Sequence, residues 1–150
     1  MQTSQETSDL GRRIGYVLKQ AQSALRSRMD EALRPLDLTV PQYACLELLG
    51  TGPLSNAELA RGVFVTAQSM NSVVRSLQER GLIARADSAP SGRRRPAELT
   101  EPGRALLADA DARIRDIERQ MLEPLEPGDG DRVVAALRAI AEHLRGDATA

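Results

Sequence analysis

Near the start of the chain, apolar residues recur at steps of three and four. Leu10, Ile14, Val17, Ala21 and Leu25 mark one stripe, and Leu18, Met29 and Leu33 widen it. This pattern predicts one amphipathic helix over about 9–34, ended by Pro35. At about 1.5 Å per residue it would be about 40 Å long. Its apolar positions cover more than one face, so it calls for a partner beyond its own chain. A second helix is signalled by Thr39 as cap and Pro41 in its first turn, with Tyr43, Leu46 and Leu49 on its apolar face, and "GTGP" at 50–53 breaks it.

The next segment is denser in signals. In "SNAE" the Ser55 hydroxyl and the Glu58 carboxylate are spaced for a capping box, predicting a short helix through Arg61. "GVFVT" makes a tight connection, and Thr66 caps a further helix whose buried face is Met70, Val73, Val74 and Leu77. Gly81 supplies a left-handed C-terminal cap. The period then shortens: 82–87 and 95–100 read as strands on either side of a Pro-, Ser- and Gly-containing turn. Thr100 caps a long helix with Leu106, Leu107, Ala110, Ile114, Ile117 and Met121 on its stripe. After "EPLEPGDGD", a last helix carries Val133, Val134, Leu137, Ile140, Ala141 and Leu144.

The predicted fold is mainly α with a small β-hairpin wing. A winged helix-turn-helix spans about 39–100, flanked by dimerisation helices at about 9–36 and 101–146, in a single domain. With 150 residues the chain is long enough for one real core, and with only Tyr16, Tyr43 and Phe64 as aromatics that core must be aliphatic.

Charge sharpens the picture. The formal net charge is −1, yet from Arg61 to Arg95 seven arginines face two acids, a local balance of +5, while from Glu101 onward the balance is −4. The positive field is concentrated on the predicted helix-turn-helix and wing. The helix after Thr66 has an outer face of Ala67, Gln68, Asn71, Ser72 and Arg75, and 66–76 contains no acid. Such a face suits a major groove: Gln and Asn pair with adenine, Arg with guanine, and an Ala methyl meets a thymine methyl. An ordinary solvated helix face is the competing reading, but those tend to be rich in Glu and Lys.

In "SGRRRPAEL", 91–99, three adjacent guanidinium groups are costly to bury and need water or an anion. Raised on the hairpin turn, Arg93 and Arg94 would reach phosphates or a narrow minor groove, whereas Arg95 would lie on the return strand, contacting the DNA backbone or pairing with Glu98. Ser55 and Asn56, at the start of the first helix of the motif, and Ser69 complete the expected DNA-binding set.

The order of a long helix, "LDLTVPQYACLELL", "LSNAELARGVFVTAQSMNSVVRSLQERGLIAR", a wing and "LTEPGRALL" resembles the MarR (multiple antibiotic resistance regulator) family of bacterial transcription factors over about 10–144. The resemblance implies a homodimer built from intertwined first and last helices, a fourth helix that reads the major groove, and a wing arginine in the minor groove. By motif, the reading positions are Thr66, Gln68, Ser69, Asn71 and Ser72, and the wing arginine is Arg93. The chain departs from the family at Ser91, Gly92, Arg93, where many members carry Asp-x-Arg, and in lacking a base near Ser72 and an acid near Arg75.

The resemblance also implies a repressor relieved by a small aromatic acid or phenol bound between the dimer helices and the winged lobe. Tyr16, Tyr43 and Cys45 could line that cleft, with Arg12 or Arg26 meeting a carboxylate; the alternative is that Tyr43 and Cys45 are plain core. Two other functions stay open. The winged module of a helical dimer could bind an acidic protein partner, or Cys45 could act as a thiol redox switch.

The remaining chemistry is sparse. One cysteine excludes an internal disulfide and any Cys-pair zinc motif. His143 has no metal-ligand spacing, and no phosphate loop or catalytic triad is present, so neither an enzyme nor a cofactor is expected. The opening "MQTSQETSDL" lacks the pattern of a signal peptide and no stretch matches a membrane span, so a cytoplasmic location is expected.

Overall fold

The computed structural model describes residues 9–85 and 95–146. Six helices and one antiparallel hairpin follow in the order α1 (Ile14–Leu33), a 3-10 turn (Arg34–Leu36), α2 (Val40–Leu49), α3 (Asn56–Val63), α4 (Ala67–Glu79), β1 (Ile83–Arg85), β2 (Ala97–Leu99), α5 (Glu101–Leu122) and α6 (Asp129–Arg145). Two compact units divide within α5, between Ile114 and Arg115.

In the first unit, α1 starts later than its periodicity predicts. Residues 9 and 10 are helical, but 11 and 12 form a turn and Arg13 is extended. Gly11 explains the break, because glycine is about 1 kcal/mol poorer than alanine in a helix and no side chain caps the interrupted end. Pro35 ends the helix as expected and initiates the 3-10 turn. The Arg80 guanidinium clamps that turn, donating to the carbonyls of Asp37 at 2.7 Å and Leu36 at 3.2 Å.

Local capping chemistry places the next three helices. Thr39 and Gln42 form a reciprocal capping box on α2, as do Ser55 and Glu58 on α3, while the Thr66 hydroxyl accepts from the Ser69 backbone N–H at 3.1 Å to start α4. The Ser55 bonds to the Glu58 carboxylate hold it below its ordinary range. Helix α3 runs two residues beyond Arg61 because the turn is made at Phe64, which takes the left-handed conformation with φ 62°. Gly81, at φ 71°, ends α4 in a conformation that a side chain would strain.

The strands pair Ile83 with Leu99, Ala84 with Glu98 and Arg85 with Ala97. They are shorter than expected; residues 86–94, including the predicted hairpin tip, lie outside the described residues. Thr100 is withdrawn from β2 because it caps α5: its hydroxyl accepts from the Gly103 N–H at 3.2 Å and donates to the Gly81 carbonyl at 2.6 Å. Gly103 is required there, since a Cβ would come within 2.0 Å of the Leu82 carbonyl oxygen. Leu54 adds a bridge to Ala97, with backbone bonds of 2.9 and 3.1 Å in both directions, so β2 is paired on two edges.

The core of this unit is aliphatic. Leu33, Cys45, Leu46, Leu59, Met70, Val74 and Leu77 are buried almost completely, and no polar or charged side chain among the described residues is fully buried. Tyr43 is buried with its hydroxyl donating to Asp111 Oδ1 at 2.7 Å and lying 3.0 Å from Glu47 Oε2, tying α2 to α5.

The second unit contains the end of α5 and all of α6. Helix α6 buries none of its side chains: Val133, Val134, Leu137, Ile140 and Leu144 are all exposed, as are Leu10, Ile14, Val17 and Leu18 around the start of the first unit's α1. No helix among the described residues is long and apolar enough to cross a membrane.

Candidate nucleic-acid interface

Helix α4 separates its two faces cleanly. Met70, Val74 and Leu77 are buried and Val73 is partly so, while Thr66, Ala67, Gln68, Ser69, Ser72 and Arg75 are exposed. The exposed set stays free of acids through Ser76, so the face presents hydroxyls, an amide, a methyl and one guanidinium. Thr66 and Ser69 are engaged with each other through a 3.0 Å hydroxyl bond, beside the backbone bond that starts the helix. Orientation relative to the rest of the lobe comes from the Gln42 side chain of α2, whose Nε2 donates to Ser76 Oγ at 3.0 Å.

Asn71 and Asn56 are partly buried and meet each other: Asn56 Nδ2 donates to Asn71 Oδ1 at 2.8 Å. Arg85 of β1 completes the set. Its Nη2 donates to Asn56 Oδ1 at 3.2 Å and its Nη1 to the Arg95 carbonyl at 2.8 Å. Asn56, Asn71, Val74, Arg75, Gln78 and Arg85 line an open polar hollow of about 260 Å³. Arg85 had stood out in the sequence only as one unit of positive charge. No periodicity marks it, since its partners are 10 and 29 residues away.

Arg95 differs from expectation. It precedes β2, separated from it by Pro96, and among the described residues it makes no ion pair with Glu98. Residues three apart in extended chain point to opposite faces, which keeps the two side chains apart. Its contribution is the carbonyl that receives Arg85. Arg93 and Arg94 lie outside the described residues.

The five residues proposed for a ligand are not gathered into one cavity. Tyr43 and Cys45 belong to the core, Arg12 and Tyr16 are exposed, and Arg26 lies on the surface of α1, 3.6 Å from Asp30. The Tyr43 phenol is pushed well above its ordinary range by burial first, then by its bond to Asp111 and the charge of Glu47, so it keeps its proton. Burial pushes the Cys45 thiol up to about 12, so it forms no thiolate near neutral pH. An open hollow of about 440 Å³ is lined instead by Asp30, Arg34, Asp37, Leu38 and Thr39. Among the described residues no three His, Cys, Asp or Glu side chains cluster as a metal site would require.

Comparison with known proteins agrees with this geometry. The MarR family profile matches residues 36–94, starting at the end of the 3-10 turn. The HTH-type transcriptional repressor Rv2887 of Mycobacterium tuberculosis is 45% identical over 113 residues, covering 75% of this chain and 81% of that protein. Its crystal structure in complex with salicylic acid superimposes with a TM-score of 0.73 at 40% identity, over 85% of this chain and 96% of that one. The same protein in complex with DNA gives a TM-score of 0.72 at 37% identity, over 85% and 97%. With a winged helix-turn-helix, a second helix whose outer face carries no acid from Thr66 to Ser76, and relatives this similar over most of its length, the chain belongs to the MarR family of transcriptional regulators.

Proposed function

We propose that this protein is a homodimeric repressor that binds a pseudo-palindromic operator in double-stranded DNA through α4 and the wing. The observation that carries the reading is the α4 outer face, where Ala67, Gln68, Ser72 and Arg75 are exposed on a helix capped by Thr66 and no acid occurs from Thr66 to Ser76. An acid-free, amide- and guanidinium-bearing surface fits phosphate and base edges. The DNA complex of the 37% identical relative supports the same assignment. Arg93 and Arg94 would contact phosphates or the minor groove from the wing. Two copies would set their α4 helices about one DNA turn, about 34 Å, apart. The exposed stripes of α6 and of α1 supply the surface for dimerisation.

A small aromatic acid would relieve repression. The salicylic acid complex of the 40% identical relative supports this ligand class; Arg12 and Arg26 are exposed to meet a carboxylate, and Tyr16 is the exposed candidate for the lining. Such a ligand acts only by binding one spacing of the α4 helices more tightly than the other. Burial of Cys45 supports a structural thiol over an oxidant switch.

The test is fluorescence anisotropy on DNA from upstream of the protein's own coding region and on scrambled DNA, at two salt concentrations. Tight, sequence-dependent binding that weakens steeply with salt is expected, and Arg93→Ala/Arg94→Ala should lose it. Equal, weak binding of both DNAs by both proteins would favour an acidic protein partner for the wing.

A further inference from the structure

An arginine side chain has donors and no acceptor. The Asn56 atom facing Arg85 Nη2 must therefore be Oδ1, 3.2 Å away, and this sets the amide of Asn56 with Nδ2 toward α4. That donor in turn requires an acceptor on Asn71, so Oδ1 of Asn71 faces inward at 2.8 Å. Among the described residues the Nδ2 of Asn71 is left uncommitted. Each step follows from donor and acceptor chemistry, and the three side chains form a relay with a single direction: Arg85 to Asn56 to Asn71. The relay is anchored at its other end, because Arg85 Nη1 holds the Arg95 carbonyl at the base of the wing at 2.8 Å.

Asn71 shares the α4 face with Gln68, Ser72 and Arg75, at helical spacings of three and four. A free asparagine presents donor and acceptor together and pairs bidentately with adenine. Here the acceptor is turned inward onto Asn56 Nδ2, away from the outer face, which leaves the bidentate role to Gln68, an exposed amide of the same face.

We propose that Arg85 is a positioning residue that orients the Asn56 and Asn71 amides so that α4 presents a hydrogen-bond donor at position 71, selecting a keto base, guanine or thymine, at one position of each half-site. Guanine O6 and thymine O4 accept from such a donor at the edge where adenine and cytosine carry an exocyclic amine; adenine N7 also accepts, so the selection is made at that keto or amino edge. This inference rests on the DNA-binding reading and assigns one specificity position within it.

Asn56→Asp tests the direction of the relay. A carboxylate accepts from Arg85 and from Asn71 alike, so Asn71 must turn its Nδ2 inward and its Oδ1 outward. An acid near the start of α3 is also favourable for the helix. Wild type, Asn56→Asp and Arg85→Met would each select duplexes from a pool of random sequence, with the selected pools sequenced.

The expected result is a keto preference of about five- to tenfold at one position per half-site for wild type, the value of one well-made contact. Asn56→Asp should exchange it for an amino base, adenine or cytosine, and Arg85→Met should bring the ratio near one. The rest of the motif, retained in both variants, reports that they are folded. A wild-type motif carried over unchanged by Asn56→Asp overturns the relay and leaves the regulator standing. Retention of the keto preference by Arg85→Met overturns the role of Arg85. Wild-type protein that enriches no motif overturns the DNA-binding reading and the relay together.

Discussion

Helices α4 and α6 are both amphipathic, and only one has its apolar face covered. Met70, Val74 and Leu77 of α4 are buried within the first unit, whereas α6 leaves Val133, Val134, Leu137, Ile140 and Leu144 exposed. The contrast separates two ways a helix gains stability. Helix α4 obtains it from its own chain, through α2, α3 and β1. Helix α6 has the same kind of stripe without a covering surface among the described residues, although most helical stability in proteins comes from packing such a face. On the homodimer reading proposed above, a second copy of this chain covers this stripe of five apolar residues.

The largest effect expected from breaking this contrast is in the covered core. Leu77→Ala deletes a fully buried side chain and should destabilise the protein by about 2–5 kcal/mol, read by chemical denaturation. A loss below about 1 kcal/mol would mean that the core around α4 is loosely packed. On α6, Leu137→Asp should leave the first unit folded while converting the proposed dimer to monomer. Affinity for the full operator should fall by about 100-fold, because each half-site then binds without the gain from its tethered neighbour. Sedimentation velocity and anisotropy check both parts. A persistent dimer would show that α6 does not form the interface.

A smaller effect sharpens how dry the covered core is. The buried thiol of Cys45 ionises at about 12, against 9.0 for an ordinary cysteine. Above about pH 9 the unfolded chain loses that proton and the folded chain keeps it, so the unfolded state binds fewer protons and stability falls as pH rises toward 12. At pH 10 the thiol alone should lower stability by about 1 kcal/mol relative to pH 8. Tyr43, raised in the same direction, adds to the decline. Cys45→Ala should reduce the slope between pH 8 and pH 10, and an unchanged slope would place water at the thiol.

Much of this architecture was legible because its determinants are local. Thr39, Ser55, Thr66 and Thr100 all stand at helix starts with the capping contacts their spacing implies, and Gly81 occupies the left-handed position its place after α4 demands. The outer face of α4 followed from periodicity and the absence of acids. Less local features escaped. The break at 11–12 was hidden by a stripe that continues across it, and the end of α3 was displaced because Phe64, not a glycine, adopts the left-handed turn. Tyr43 and Cys45 were equally consistent with a ligand cleft and with core, since composition does not say which way a helix face turns.

What the sequence by itself determined is the set of elements, their caps and the alternation of buried and exposed faces, because each depends on residues within one or two turns of one another. Only the tertiary structure decided which polar groups meet. Tyr43 finds Asp111 across 68 residues, Gln42 finds Ser76 across 34, and Arg85 reaches Asn56 across 29. Such pairs leave no periodic trace in the chain. They arise when packed aliphatic faces bring distant backbones to fixed positions, where a partly buried donor without an acceptor would be costly.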